Sequence, residues 1–252
     1  MTINTKTLAA IDIGTNAIRL FISNVEEYPT ETLFKKIAFL RVPIRLGEDV
    51  FTTGEIGQQK RKRLCETMQG FSYIMSAFNV ESYKAYATCA MREARNGKSV
   101  AEQIQKECDL NIEIISGTKE AETIFAGGMN EVVDDDKTYL YVDVGGGSTE
   151  VIVYSKSVKV EACSFPLGTV RMLNDAVDKE EMKHFKKWLK NITEKYTPDA
   201  IIGSGGNINK IHKLLNKKER ERITYQELDI LYEYMKSFNL EERERIMKLN
   251  TY

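Results

Sequence analysis

Two segments of the chain end an apolar run with a carboxylate and place a glycine two residues later: "TLAAIDIGTNAIRLFIS" at 7–23 and "TYLYVDVGGGSTEVIVY" at 138–154. Asp is disfavoured in strands, and consecutive glycines weaken any element they enter. A choice of this kind made twice points to chemistry rather than to stability. A Gly-rich turn can set successive backbone N–H groups around an anion, because glycine permits close approach and positive φ. A third loop of this type is "GSGGN" at 203–207. None has the GxxxxGK[ST] spacing of a nucleoside-triphosphate loop. The triple-glycine loop leads into the alternating, β-branched "TEVIVY", whereas a dinucleotide fingerprint must open a helix. A hairpin-borne phosphate cradle is what remains. One such loop could equally be a tight turn; two loops with the same Asp offset favour the anion site.

Asp12 and Asp143 are therefore expected to face each other across a cleft. Carboxylates beside bound phosphates serve chiefly as Mg²⁺ anchors, since Mg²⁺ takes one or two carboxylates and fills its other positions with phosphate oxygens and water. Glu150, on the strand leaving the triple-glycine loop, can join Asp12 and Asp143 in that set; the alternative for it is an exposed strand residue.

These residues need elements to position them. Residues 7–13 and 17–24 read as paired strands, with a third over 32–44. Leu64, Met68, Phe71, Ile74, Met75 and Phe78 recur at helical spacing and predict a helix over 55–78. A strand at "VESYKAYAT", a polar turn at "MREARNGKS", a helix over 99–107 and a short strand "NIEIIS" follow. A helix from 117 carries the stripe Ala121, Ile124, Phe125, Gly128 and Val132, and "DDDK" at 134–137 reads as a solvated turn. The boundary between two units is expected within 117–137, dividing the chain into 1–124 and 125–252. The second unit repeats the plan: a hairpin at 138–154, a strand at 158–165, a helix at 179–195, a strand "AIIG" and a helix at 207–216. Two last helices open with the capping boxes Thr224/Glu227 and Asn239/Glu242. A duplicated α/β architecture around a cleft accounts for this order better than one continuous sheet.

Composition sets the outer limits. The 252 residues are 42% hydrophobic and 29% charged, as in an ordinary globular protein. A net charge of -1 argues against a broad footprint on DNA or RNA. No basic n-region opens the chain and no apolar run approaches a membrane span, so a cytoplasmic protein with no membrane partner is expected. The four cysteines show no metal-ligand spacing and read as reduced thiols; with only two histidines, a zinc site is not expected.

Six ordered segments, "DIGTNAIRL", "ATCAMREARNG", "SGTKEAE", "VDVGGGSTE", "PLGTVRM" and "GSGGNI", resemble the exopolyphosphatase and guanosine-pentaphosphate phosphohydrolase family. "SGxxEA" followed by "VDxGGGSTE" is the specific part of the match. The resemblance implies two similar domains of the actin-like ATPase (ribonuclease H-like) type flanking a cleft. It also implies an exopolyphosphatase that hydrolyses the terminal phosphoanhydride of polyphosphate with Mg²⁺, Glu120 acting as general base beside Asp143 and Glu150. Arg92 and Asn96 fall on family positions that bind substrate phosphate, with Arg19 as a second cation. The remaining phosphate contacts are expected from Asp12, Gly14, Thr15 and Asn16, from Gly145, Gly146, Gly147 and Ser148, and from Gly203, Ser204, Gly205 and Gly206. Glu122 is expected on a solvated face. Family members continue beyond "MKLNTY", so the second domain is expected to lack its closing elements and a second copy of the chain could cover the face so left. The same feature moves the expectation from long polyphosphate toward short chains. Other readings are guanosine pentaphosphate hydrolysis, a kinase or ATPase of the same superfold, and a non-catalytic sensor of phosphate ligands.

Overall fold

A computed structural model describes residues 4–126, 134, 136–156, 158–218 and 221–247. The first sheet runs in the order β3-β2-β1-β4-β5. It comprises β1 (Asn4–Ile13), β2 (Ile18–Glu27), β3 (Thr32–Val42), β4 (Ser82–Ala87) and β5 (Glu113–Ile114), the first three antiparallel and the last two parallel to β1 and β4 respectively. Period-two alternation decides its faces: Ile18, Leu20 and Ile22 are buried while Arg19 and Phe21 point outward. The buried face packs beneath α2 (Gln58–Ala77), through Leu64, Met68, Phe71 and Met75, and α4 (Gly97–Cys108), through Val100 and Ile104. Each such side chain contributes about 1.5–3 kcal/mol when fully buried.

The second sheet, in the order β8-β7-β6-β9, contains β6 (Thr138–Val144), β7 (Thr149–Ser155), β8 (Val158–Phe165) and β9 (Ala200–Ser204). One face meets α7 (Lys179–Tyr196), where Phe165 packs edge-on against Phe185 and Trp188. The other face carries Tyr139, Tyr141, Ile152 and Tyr154, against which Ile124 of α5 (Gly117–Ala126) packs. Gly128 and Val132 of the expected stripe lie outside the described residues. Then come α8 (Gly206–Leu214), α9 (Tyr225–Lys236) and α10 (Leu240–Met247). Thr224 and Glu227 make the expected capping box, and Asn239 and Glu242 exchange the same pair of bonds.

Three short helices were not expected. The first, α1 (Leu46–Thr53), stands just past the predicted third strand, between Arg45 and Gly54, both in left-handed backbone. The second, α3 (Cys89–Glu93), replaces the start of the polar turn, and the third is α6 (Thr169–Leu173). Elements of five to eight residues span too few turns for a hydrophobic period to register. All four cysteines are unpaired. Among the described residues no helix is long and apolar enough to cross a membrane.

Candidate active site between the two hairpin tips

The two hairpin turns have the same construction. Gly14 N–H donates to Ala17 O at 3.1 Å in the first, and Gly145 N–H to Ser148 O at 2.9 Å in the second. Strand register then places the chemistry. Across the second sheet, Ser164 of β8 opposes Glu150 of β7, Glu150 opposes Asp143 of β6, and Asp143 neighbours Ser204 of β9. This polar row crosses all four strands. Two residues further from the hairpin tip lies an apolar row, Ala162, Ile152, Tyr141 and Ile202, part of the buried cluster against which Ile124 packs. Across the first sheet the equivalent row is Arg41, Arg19, Asp12 and Tyr86.

The rows meet at one crevice. Arg19 pairs with Asp12 at 2.5 Å, and the charges of both act on Asp143 in the opposite sheet. Glu150 is 1% exposed and accepts a hydrogen bond from Ser164 Oγ at 2.9 Å; burial raises its pKa above the ordinary carboxylate value. Asp143 accepts from Ser204 Oγ at 3.1 Å and is also raised, again chiefly by burial. Ser116 Oγ accepts from Lys119 N–H at 3.1 Å, and the first turn of α5 so started carries Glu120 into the crevice. The Glu120 side chain is 17% exposed. Burial and the charge of Glu150 push its pKa up to about 8, against the opposing pull of Arg92. Arg92 Nη1 donates to Ile115 O at 2.8 Å and lies 3.4 Å from Glu120 Oε2. Glu122, as expected, is on the solvated side, paired with Lys159 at 2.6 Å.

The glycines meet the site in different ways. Gly145, Gly146 and Gly147 are not in left-handed backbone; Gly54 and Gly205 are the described glycines with positive φ. Close approach is what requires glycine in the triple loop. A Cβ on Gly147 would come 2.4 Å from Cys89 Sγ and 2.7 Å from Phe51 Cζ, and one on Gly146 would come 3.1 Å from Thr15 Cγ2. The loop from the second half is thus pressed against the first. Thr15 O and Asn16 O, in turn, accept from Gly47 N–H and Arg45 N–H at the start of α1, both at 2.9 Å. In the third loop, Gly205 has φ +95 and a Cβ there would lie 2.7 Å from Asp143 Oδ1; Gly203 faces Ile208, and Gly206 faces open space. The Asn96 side chain exchanges two hydrogen bonds of 2.9 Å with the backbone of Ile56. Ser164, Phe51, Cys89 and Tyr141 escaped the sequence reading. Ser164 was recoverable from register, sitting opposite Glu150, but the contacts of Phe51 and Cys89 come from different elements and carry no local signal.

Asp143 and Glu150 form a desolvated pair that accepts hydrogen bonds from the neutral hydroxyls of Ser204 and Ser164, a donor set suited to a hard dication. Among the described residues, no three His, Cys, Asp or Glu side chains form a ready-made metal cage.

Over 168 residues the chain is 32% identical to a bifunctional 3-dehydroquinate synthase/phosphatase of Fusobacterium nucleatum, covering 65% of this chain and 25% of that protein. It is 28% identical over 170 residues to exopolyphosphatase 2 of Mycobacterium tuberculosis, covering 66% and 53%. The chain thus spans a quarter to about half the length of these relatives. A crystal structure of the Aquifex aeolicus member of the Ppx/GppA protein family superposes with a TM-score of 0.76 at 25% identity, covering 97% of this chain and 83% of that one. The two-sheet α/β architecture is accordingly that of the actin-like ATPase fold. The Ppx/GppA phosphatase family profile matches residues 22–251, and the chain belongs to that family.

Proposed function

We propose that the protein is an exopolyphosphatase, hydrolysing the terminal phosphoanhydride of polyphosphate with release of orthophosphate. The observation that carries this reading is Glu120, a largely buried carboxylate delivered by the first turn of α5 into the crevice between the two hairpin tips. Hydrolysis of an anhydride needs a water deprotonated in line with the leaving phosphate. Glu120 takes that proton; its raised pKa makes it a stronger base once ionised. Arg92, beside it, supplies a planar guanidinium suited to bidentate binding of the terminal phosphate. The triple-glycine loop and Ser148 supply N–H groups and a hydroxyl toward charge that develops in the transition state.

Asp143 and Glu150 would hold Mg²⁺, with Asp12 nearby; the ion, when bound, offsets phosphate charge and polarises the anhydride oxygens. Asp12, Arg19 and the 14–16 turn contact the same phosphates from the opposite half. The two units are proposed as 1–124 and 125–252, with the substrate bound between them. Guanosine pentaphosphate presents the same terminal anhydride and is the alternative substrate.

Glu120→Gln should lower kcat by about 10²–10⁴-fold while leaving KM for tripolyphosphate near its starting value. Orthophosphate release at wild-type rate by this variant would remove Glu120 from the mechanism.

A further inference from the structure

The carbonyl groups of the triple-glycine loop all turn to one place. Thr169 N–H donates to Gly145 O at 3.1 Å, while the N–H groups of Val170 and Arg171 donate to Gly146 O at 2.8 and 3.1 Å. Arg171 Nε donates to Gly147 O at 2.9 Å. The peptide units are trans, and in a trans unit N–H points opposite to C=O. The amides sharing those units, of Gly146, Gly147 and Ser148, therefore face away from α6. Three successive N–H groups on one side of a turn form an anion-binding nest. Gly168 allows α6 to sit this close, since a Cβ there would come 2.4 Å from the carbonyl of Gly146.

The side chain that completes this clamp is anchored in the opposite half of the molecule. Arg171 is 9% exposed, and its Nη2 lies 2.7 Å from both carboxylate oxygens of Glu93 and 3.8 Å from Cys89 Sγ, both on α3. Its guanidinium lies over the Phe51 ring of α1, 4.1 Å from the centroid. Cys89 in turn donates its thiol to Glu93 Oε1 at 3.2 Å. One guanidinium thus bridges a loop carbonyl of the second sheet's half to a carboxylate and a ring of the first. If the halves part, Arg171 loses Glu93 and Phe51 together and Gly147 O loses a fixed donor.

We propose that Arg171 is a positioning residue that couples the approach of the two halves to the orientation of the triple-glycine amides, so that the phosphate nest is fully formed only when Glu93 and Phe51 hold the guanidinium. This rests on the hydrolase reading above. It adds a residue and a regulation of binding by closure that the reading does not contain. Lysine cannot replace the group, because its ammonium lacks the planar fork that reaches Gly147 O and Glu93 at once.

The test compares wild type with Arg171→Lys, Glu93→Gln and their double variant. It uses tripolyphosphate turnover with Mg²⁺ and calorimetric binding of tripolyphosphate and orthophosphate. Arg171→Lys should raise KM and weaken binding of both anions by about 10–100-fold, the size expected for losing a charge-assisted bond, with kcat within a few-fold. Glu93→Gln should act in the same direction, and the double variant should be no worse than Arg171→Lys alone, because both break one linkage. Unchanged anion binding in Arg171→Lys, a loss confined to kcat, or additive effects in the double variant would overturn the proposal. A wild-type protein that binds phosphates but releases none would end the hydrolase reading while leaving the binding comparison to judge Arg171. A wild-type protein that binds neither anion would overturn both. Should Arg171→Lys fold poorly, the nearly isosteric Glu93→Gln decides the question in its place: weakened binding of both anions supports the linkage, and unchanged binding overturns it.

Discussion

Glu120 shows how one side chain takes its properties from neighbours remote in sequence. Helix α5 buries it, Glu150 arrives from β7, and Arg92 arrives from α3. Its folded-state pKa of about 8 lies above the ordinary value of 4.5, so the native state holds the proton more tightly than the unfolded chain. The associated stability is present in full below the ordinary value and is lost as pH rises through about 8. Asp143 and Glu150 are raised too and add to the same trend. With chelator present, the melting temperature should fall by several degrees between about pH 5 and about pH 9, and Glu120→Gln should flatten that slope. A melting temperature that climbs over this range, or a slope untouched by the substitution, would show that these carboxylates are not buried together.

At the scale of elements, the two halves share a device that neither hairpin contains. In each, a short helix after the third strand donates backbone N–H groups to the carbonyls of the hairpin turn. Helix α1 does so for Thr15 and Asn16, and α6 for Gly145 and Gly146. The turns are held from behind, which leaves their front to the crevice. The tightness of this packing is measurable at glycines. Gly147→Ala must displace Cys89 Sγ and Phe51 Cζ, costs about 1–3 kcal/mol and should weaken phosphate binding. Gly70→Ala, on α2 with nothing within 4 Å of the added Cβ, should instead stabilise by about 0.5–1 kcal/mol and leave phosphate binding alone. Chemical denaturation of both variants checks the signs; a neutral Gly147→Ala would mean that the loop is not pressed between the halves.

For the molecule as a whole, charge decides what must accompany the substrate. The net charge is only -1, yet the crevice gathers Asp12, Glu120, Asp143 and Glu150 against Arg19 and Arg92. A polyanion entering such a site needs added positive charge. Orthophosphate release from tripolyphosphate, long polyphosphate and guanosine pentaphosphate should therefore fall by more than about 10²-fold when Mg²⁺ is chelated. The relative rates among the three assign the substrate. Release indifferent to chelation would show that the arginines alone neutralise the phosphates and that Asp143 and Glu150 serve another purpose.

Much of this was written in the one-dimensional pattern. Alternation in β1 and β2, the continuous apolar runs of β6 and β7, the helical stripe of α2 and the Asp-to-Gly spacing are local, and local preferences are legible in a chain because the residues that express them are adjacent. They were enough to anticipate two sheets, two hairpin tips and the carboxylates at their ends. What the sequence alone left open depended on contacts between elements far apart. Five to eight residues carry too little periodicity to announce α1, α3 or α6. Asn96 lies in a motif, yet the loop at Ile56 claims its amide. The triple glycine left open a need for positive φ or a need for close approach, and it serves the second, imposed by Thr15, Phe51 and Cys89. Whether a missing side chain serves torsion or clearance is settled by what stands opposite it, and only the folded chain supplies that neighbour.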